Sequence, residues 1–348
     1  MWIAVDAMGG DHAPRAVVEG AVAAAREFGV GIILVGDKDK VDSELAALDT
    51  SRLNLRVVHA SQVVDMSDSA SVAHRRKKDS SIRVAVELVK SGEAAAVISA
   101  GHTGASMATA FFVLGAVTGV ERPAIAALVP TMNGFSIMLD VGANVDCKPI
   151  HLLQFAVMGD VLARKVHNMQ RPKVGLLSIG EEDTKGNELT REAFKLLKAS
   201  QLNFIGNVEG RDVFNGKADV IVCDGFIGNV AIKISEGLAE AMNALLKREI
   251  EEAIGGQLGY LLLRPAFKKF KKRLDYSEYG GAPLLGVNGV CIICHGHSSP
   301  KAIMNAVKLA HDSHVKQLNR HIQNDIEVNV ASLAPTKRPS RQKEGVLR

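Results

Sequence analysis

Short apolar runs alternate with longer segments of mixed polarity from one end of the chain to the other. Residues 3–6, 31–36, 55–60, 94–99, 174–179, 204–208, 219–223 and 289–294 read as strands. Each is short, mostly apolar and bounded by turn-forming residues. Two more strands are expected near 124–129 and 135–141. Between them lie stretches with helical spacing: from Pro14 to about 28, then 38–48, 81–90, 105–115, 149–167, from Glu188 onward, 230–254 and 300–323. Strands that alternate with helices predict an α/β fold, an open, mostly parallel sheet with helices on both faces. No repeat and no linker interrupts the pattern before about Asn329, so residues 1–328 read as one domain.

In such a sheet the chemistry collects at the carboxyl ends of the strands. Five strand-ending loops place Gly beside Asn, Asp, His, Thr or Lys: 7–12, 100–104, 142–146, 180–187 and 224–229. Gly-rich backbone at a helix N-terminus donates N–H groups and a positive dipole end, which suits phosphate. Any one of these loops is adequately explained as a turn; five together point to a site. The loop 180–187 is the centre of this reading. Lys185 stands between Thr184 and Gly186, where backbone can approach a ligand closely, and Asn187 is placed to cap the following helix, whose apolar stripe is Leu189, Ala193, Leu196 and Leu197.

Several sharper motifs are absent. The first strand–helix turn has no Gly-x-Gly-x-x-Gly, the run from Gly210 to Lys217 is one residue too long for a P-loop and ends in Ala218, and no Gly-x-Ser-x-Gly elbow occurs. Cys291-Ile-Ile-Cys294-His295 has the spacing of a haem attachment site, but the two cysteines lie in an apolar strand and read as small buried residues. Cys147, beside Pro149 at a helix start, reads the same way rather than as a nucleophile. Four irregularly spaced cysteines make no disulfide framework. The sequence opens Met-Trp-Ile-Ala-Val-Asp with no basic n-region, so no signal peptide is expected.

Composition and charge change the picture in one place. Hydrophobic residues at 47% support a large core, and aromatics at 4% are too few for a base-stacking platform. The net charge of +4 is local, because residues 264–273 carry six cations and no anion, the tail from Thr336 is also basic, and the remainder is acidic. Beyond Gly255-Gly256, Leu258, Tyr260, Leu261, Leu262 and Leu263 are unusually apolar for a loop. After Pro265, Phe267, Phe270 and Leu274 continue at helical spacing from Leu263, while Lys268, Lys269, Lys271, Lys272 and Arg273 occupy the other faces. This is the pattern of a projecting helix that lies on an anionic membrane surface; packing against a second subunit explains it equally well, and an acidic carrier protein also fits the cationic ridge. Residues 329–348 are charged and poor in large apolar side chains, and read as a disordered tail.

Six long segments closely resemble the bacterial soluble phosphate acyltransferases of phospholipid synthesis, the acyl-carrier-protein:phosphate acyltransferases: 5–11, 99–105, 140–144, 180–189, 207–212 and 223–229. Tyr-Gly-Gly-Ala-Pro-Leu-Leu-Gly at 279–286 adds a seventh. The resemblance spans about Ile3 to Asn324 and departs from the family pattern at His102, where Asn is expected, and in the basic tail. It implies a Rossmann-like fold related to phosphotransacetylases and a homodimer. The implied reaction is acyl-[acyl-carrier protein] plus inorganic phosphate giving acyl phosphate plus free carrier. No tightly bound cofactor or metal and no nucleic acid partner follow from it. The product passes to a membrane acyltransferase acting on glycerol 3-phosphate. The implied location is cytoplasmic, in peripheral contact with the inner face of the cell membrane.

Phosphate is already an anionic nucleophile and a thiolate leaves readily, so positioning and oxyanion stabilisation carry most of the expected work. Gly101, Thr103 and Gly104 are the expected phosphate cradle, and Lys185 balances charge on phosphate or oxyanion. Asn187, Asn229 and Asn144 are candidate donors to the thioester carbonyl, Asp146 or Asp224 orients Lys185, and His102 passes a proton to the departing sulfur. Two rival readings stay open on sequence: a short-chain phosphotransacetylase using coenzyme A, and a non-catalytic membrane or nucleic-acid binder acting through the basic helix and tail.

Overall fold

The computed structural model describes residues 1–331 apart from 66, 70, 71, 73, 74, 254 and 275–279. In chain order the elements are β1 (Trp2–Asp6), α1 (Arg15–Phe28), β2 (Gly31–Gly36), α2 (Lys38–Ala46), β3 (Leu55–His59), α3 (Ser81–Lys90), β4 (Ala96–Ser99), α4 (Thr103–Leu114), β5 (Ala124–Ile125), β6 (Ala127–Thr131) and β7 (Gly134–Leu139). There follow α5 (Pro149–Lys165), β8 (Val174–Leu177), α6 (Glu188–Ala199), β9 (Phe204–Val208), α7 (Asp212–Asn215), β10 (Val220–Val222), α8 (Gly225–Glu252), α9 (Gly256–Leu274), β11 (Ala282–Leu285), β12 (Val290–Ile293), α10 (Pro300–Val315) and α11 (Leu318–Ala331).

The strands are mostly parallel, as their two-sided apolar character predicts, but they form two sheets rather than one. The first has the order β3-β2-β1-β4-β12-β11-β5 and the second β6-β7-β10-β8-β9. Among the described strands, β11, β5 and β6 introduce the antiparallel pairings. The run expected as a single strand near 124–129 is where the chain changes sheet. Ala124 and Ile125 pair with β11, Ala127–Thr131 pair with β7, and buried Ala126 between them bonds through its N–H to the Pro283 carbonyl. Periodicity marks strands but not which strands share a sheet.

Against β7 and β10 of the second sheet, and packed on α6 and α11, lies α5, buried from His151 to Ala163 on every side. That explains why its sequence has no polar stripe: an all-round apolar helix belongs in a core. Arg164 near its end pairs with Asp160 and Asp325, fastening α5 to α11.

Other boundaries differ for identifiable reasons. The helix expected over 300–323 is two, because Gln317 adopts a left-handed φ of 51° between α10 and α11. Residues 329–331, expected to open the tail, are helical: α11 runs to Ala331, and buried Asn329 accepts from the Gln201 N–H and donates to the Asp325 carbonyl. Residues 332–348 lie outside the described residues. The helix expected from 230 begins at Gly225, capped by Asp224, so Asn229 sits on its first turns rather than in a loop. The apolar stretch 258–263 is helical, part of an α9 that continues through Pro265 and stacks the rings of Tyr260 and Phe267 at 5.3 Å.

Candidate active site

Each sheet presents one cluster of loops at the carboxyl ends of its parallel strands. On the first sheet, β1 ends at Asp6, which is 3% exposed. Ser99, the last residue of β4, donates its hydroxyl to Asp6 Oδ2 at 2.7 Å, and Met8 N–H donates to Asp6 Oδ1 at 3.2 Å. The Gly101 N–H reaches Ser99 Oγ at 3.1 Å. Loops 7–12 and 100–104 are in van der Waals contact, since a Cβ on Gly9 would fall 2.6 Å from the Gly101 nitrogen and 2.7 Å from Asp6 Oδ2. Beneath them a small cavity is lined by Asp6, Ser81, Gly101, His102 and Ser106. Burial pushes the Asp6 carboxyl above the usual range, opposed by hydrogen bonds from Ser81, Ser99, Met8 and Gly9.

Thr103 and Gly104, expected in a loop, form the first turn of α4. Their backbone N–H groups therefore belong to a helix N-terminus beside Gly101, the arrangement that favours an anion. His102 is the N-cap: its Nδ1 accepts from the Ala105 N–H at 3.2 Å. The proton-donor role expected for it would require this bond to open, because an imidazolium carries hydrogen on both nitrogens.

A third loop that the pattern of Gly and polar residues should also have revealed joins this cluster. It follows β12 and runs His295-Gly296-His297-Ser298-Ser299. Asp11 N–H donates to the Gly296 carbonyl at 2.7 Å, where Gly10 has a φ of 113° that a side chain would strain. Cys291 and Cys294 are buried, and burial pushes each thiol up to about 12, in keeping with the small buried residues expected from sequence.

On the second sheet, Asp140 follows β7 and is fully buried. Its Oδ1 accepts from the N–H groups of Ile125, Gly142 and Ala143 at 3.1, 3.2 and 3.0 Å. Its Oδ2 accepts from the Asn144 N–H at 2.7 Å and the Asn144 side chain at 2.9 Å. The other Asn144 amide hydrogen goes to the Pro123 carbonyl at 2.7 Å. Both hydrogens of Asn144 are therefore spent on holding the turn, which corrects its expected role as a donor to substrate. The start of α8 lies flat on that turn: a Cβ on Gly228 would fall 1.9 Å from the Asp140 carbonyl oxygen.

Asp224 accepts from Ile227 N–H at 2.9 Å as the cap of α8, and Asn187 accepts from Thr190 N–H at 2.9 Å as the cap of α6. Asn187 keeps its amide hydrogens for other partners, and Asn229 is exposed beside Gly142. Lys185 is exposed, its stem against Gly180. The nearby cations Lys198 and Lys217 pair with Asp183 and Glu181. Lys185 forms no ion pair among the described residues, so neither capping Asp224 nor exposed Asp146 orients it as expected. Burial pushes the Cys147 thiol up to about 12, with Asp140 adding to the effect, and removes it as a nucleophile at neutral pH.

The five loops thus fall into two groups, and α8 connects them. It starts on the second sheet's edge, and its Glu236 Oε1 meets His295 Nε2 of the first sheet's third loop at 3.3 Å. Along the projecting pair, Leu258, Leu261, Leu262, Leu263 and Phe270 are exposed and Phe267 is half-buried; the side chains of Lys271, Lys272 and Arg273 lie outside the described residues. Among the described residues, no helix is long and apolar enough to cross a membrane.

This two-sheet arrangement is the fold of the phosphotransacetylases. The chain superposes on a phosphotransacetylase from Streptococcus pyogenes with a TM-score of 0.62 at 17% identity, over 90% of this chain and 94% of that one. A phosphotransacetylase from Staphylococcus aureus gives 0.60 at 18% identity, again over 90% and 94%. In sequence, residues 1–321 match the family described as Fatty acid synthesis protein, and the chain belongs to that family. A Phosphate acyltransferase from Citrifermentans bemidjiense is 63% identical over 92% of this chain and 91% of its own. Another from Geobacter sulfurreducens is 58% identical over 94% of each.

Proposed function

We infer that this chain is a phosphate acyltransferase. It moves a long-chain acyl group from acyl carrier protein to inorganic phosphate, and the acyl phosphate feeds acylation of glycerol 3-phosphate by a membrane acyltransferase. The observation that carries this reading is family membership across residues 1–321, with 63% identity to a phosphate acyltransferase over nearly the whole chain. The site geometry is compatible with it. Phosphate is assigned to the N-terminus of α4, where Gly101, Thr103 and Gly104 offer backbone donors and dipole. Lys185 supplies mobile positive charge, and Asn187 and Asn229 supply amide hydrogens for the thioester oxygen as it gains charge. Val145, Ile179 and Phe226, exposed apolar residues on the second edge, form the start of a path for the acyl chain along α8.

The apolar side of α8 and α9 supports two further proposals. Ile234, Leu238, Met242 and Leu245 are exposed along α8, a stripe suited to a second copy in a homodimer. Leu258, Leu261 and Leu262 at the far end, with Lys268, suit peripheral contact with anionic lipid at the cytoplasmic face of the cell membrane. The assay is phosphate-dependent loss of thioester from long-chain acyl carrier protein. Faster turnover of acetyl-coenzyme A would favour the short-chain rival, and no phosphate dependence with either would defeat the enzymatic reading. Cosedimentation with anionic vesicles, abolished by Phe267→Glu with Phe270→Glu, tests the membrane proposal.

A further inference from the structure

We propose that Asn207, buried beneath the loop 180–187, is a positioning residue that fixes the direction of Lys185; the inference rests on the charge-balancing role given to Lys185 in the phosphate acyl-transfer reading above.

Lys185 is exposed, so its aim depends on the backbone that carries it. That backbone is a turn, in which the Lys185 N–H donates to the Glu182 carbonyl at 3.0 Å. The same carbonyl accepts a second hydrogen bond, from the Asn207 side-chain amide at 2.8 Å. One oxygen thus closes the turn and ties it to β9. The ion pairs on either flank, Glu181 with Lys217 and Asp183 with Lys198, lie at the surface and constrain little.

Strand register explains why Asn207 reaches the turn. It pairs with Leu176 of β8, and directly paired residues of parallel strands point to the same face. Leu176 is fully buried and Asn207 is 4% exposed. Ser178, two residues beyond Leu176, lies on that face too. A Cβ on Gly186, whose φ is 105°, would fall 2.9 Å from the Ser178 hydroxyl. The turn that carries Lys185 therefore rests on the sheet edge, with Asn207 below Glu182 and Ser178 below Gly186.

The bonding of Asn207 is uneven. Its Nδ2 faces the Glu182 carbonyl, and its Oδ1 is buried with no hydrogen-bond partner. An unmatched buried oxygen costs stability, and an apolar side chain of the same branched shape would avoid that cost. Removing Asn207 still leaves the Glu182 carbonyl with the Lys185 N–H. The net contribution of Asn207 to folding is therefore small, while its hold on the turn is direct. Being buried, it meets no reactant; it acts through Lys185, where a misplacement of about 1 Å can cost about a hundredfold in rate.

The test is a double-mutant cycle on the full chain. Wild type, Asn207→Ala, Lys185→Ala and the double variant are assayed for phosphate-dependent loss of thioester from long-chain acyl carrier protein, with urea midpoints measured alongside. Asn207→Ala is expected to lower kcat about tenfold when Lys185 is present and less than about twofold when it is absent, with nearly the same midpoint. Ser178→Ala removes the neighbouring unmatched hydroxyl without touching Glu182, and should leave kcat within about twofold. Equal losses from Asn207→Ala in both backgrounds would mean that Asn207 only supports the edge of the sheet, and would overturn the proposal. A loss from Ser178→Ala as large as that from Asn207→Ala would overturn it too. If Lys185→Ala alone costs less than about tenfold, the role of Lys185 fails and the inference with it. If wild type shows no phosphate-dependent turnover, the acyl-transfer reading fails before either. An Asn207→Ala protein that does not fold leaves Asn207→Leu, branched at the same carbon, to decide by the same cycle.

Discussion

Two buried aspartates mark the two edges of the site, and their partners differ in kind. Asp140 on the second sheet is surrounded by N–H donors alone, from Ile125, Gly142, Ala143 and twice from Asn144. An N–H cannot reverse, so this carboxylate has to stay an acceptor. Asp6 on the first sheet meets two serine hydroxyls, Ser81 and Ser99, besides backbone, and it borders a cavity. A hydroxyl donates or accepts by rotating. Burial pushes both carboxyls above their ordinary range, but only the surroundings of Asp6 can accommodate the protonated form. The second edge is thus a rigid brace, with glycines of α8 pressed onto it, while the first is an adaptable polar pocket under the anion-facing helix.

The largest expected effect comes from breaking the brace. Asp140→Asn turns an amide toward N–H donors and leaves at least one unmatched, costing roughly 3 kcal/mol of stability; a urea titration measures it. Asp6→Asn, with hydroxyls to turn, should cost under about half as much. Equal losses would erase the distinction between the two edges.

Next comes Lys185, which rides on the rigid edge but is exposed. Lys185→Ala should reduce turnover about a hundredfold, near 2.7 kcal/mol of barrier, with no change in the urea midpoint. A loss below about tenfold would remove it from the chemistry.

A smaller effect follows from titration of Asp6. Because its folded pKa lies above the ordinary 3.8, folding binds its proton more tightly than the unfolded chain does. The stability it contributes is complete below 3.8 and is lost as pH rises through the raised folded value. Asp6→Asn should flatten the part of the profile above pH 3.8, read from urea midpoints at stepped pH. An unchanged slope would place the carboxyl's titration elsewhere.

Most of the fold could be read from sequence because short apolar runs and helical spacing are local properties. The assignment of strands to two sheets could not, since it turns on Ala126, where one apolar run is shared between partners far apart in sequence. Loop positions were legible for the same reason as strands: Gly next to a polar residue after an apolar run. What those polar side chains do was not. Asn144, Asn187, His102 and Asp224 look alike as ligands on paper, yet each has a backbone partner that uses one face of it, three residues on for Asn187, His102 and Asp224 and as far back as Pro123 for Asn144. The loop after β12 joins the first cluster only through the register that sets β12 beside β4.

The last comparison concerns the cap on the adaptable edge. His102 stands where the resemblance leads one to expect Asn, and both side chains can accept from the N3 backbone N–H. Asn is among the strongest N-cap residues, so His102→Asn should leave stability within about 0.5 kcal/mol and turnover within about twofold, whereas His102→Ala, which removes the acceptor, should cost about 1 kcal/mol. Capping then accounts for the position without any proton transfer, and the family departure is neutral. If His102→Asn instead lowered turnover more than about tenfold at an unchanged urea midpoint, the imidazole would be doing chemistry that an amide cannot. The Ala105 bond would then have to open during the cycle, and the first edge would need a mobile cap as well as rotating hydroxyls.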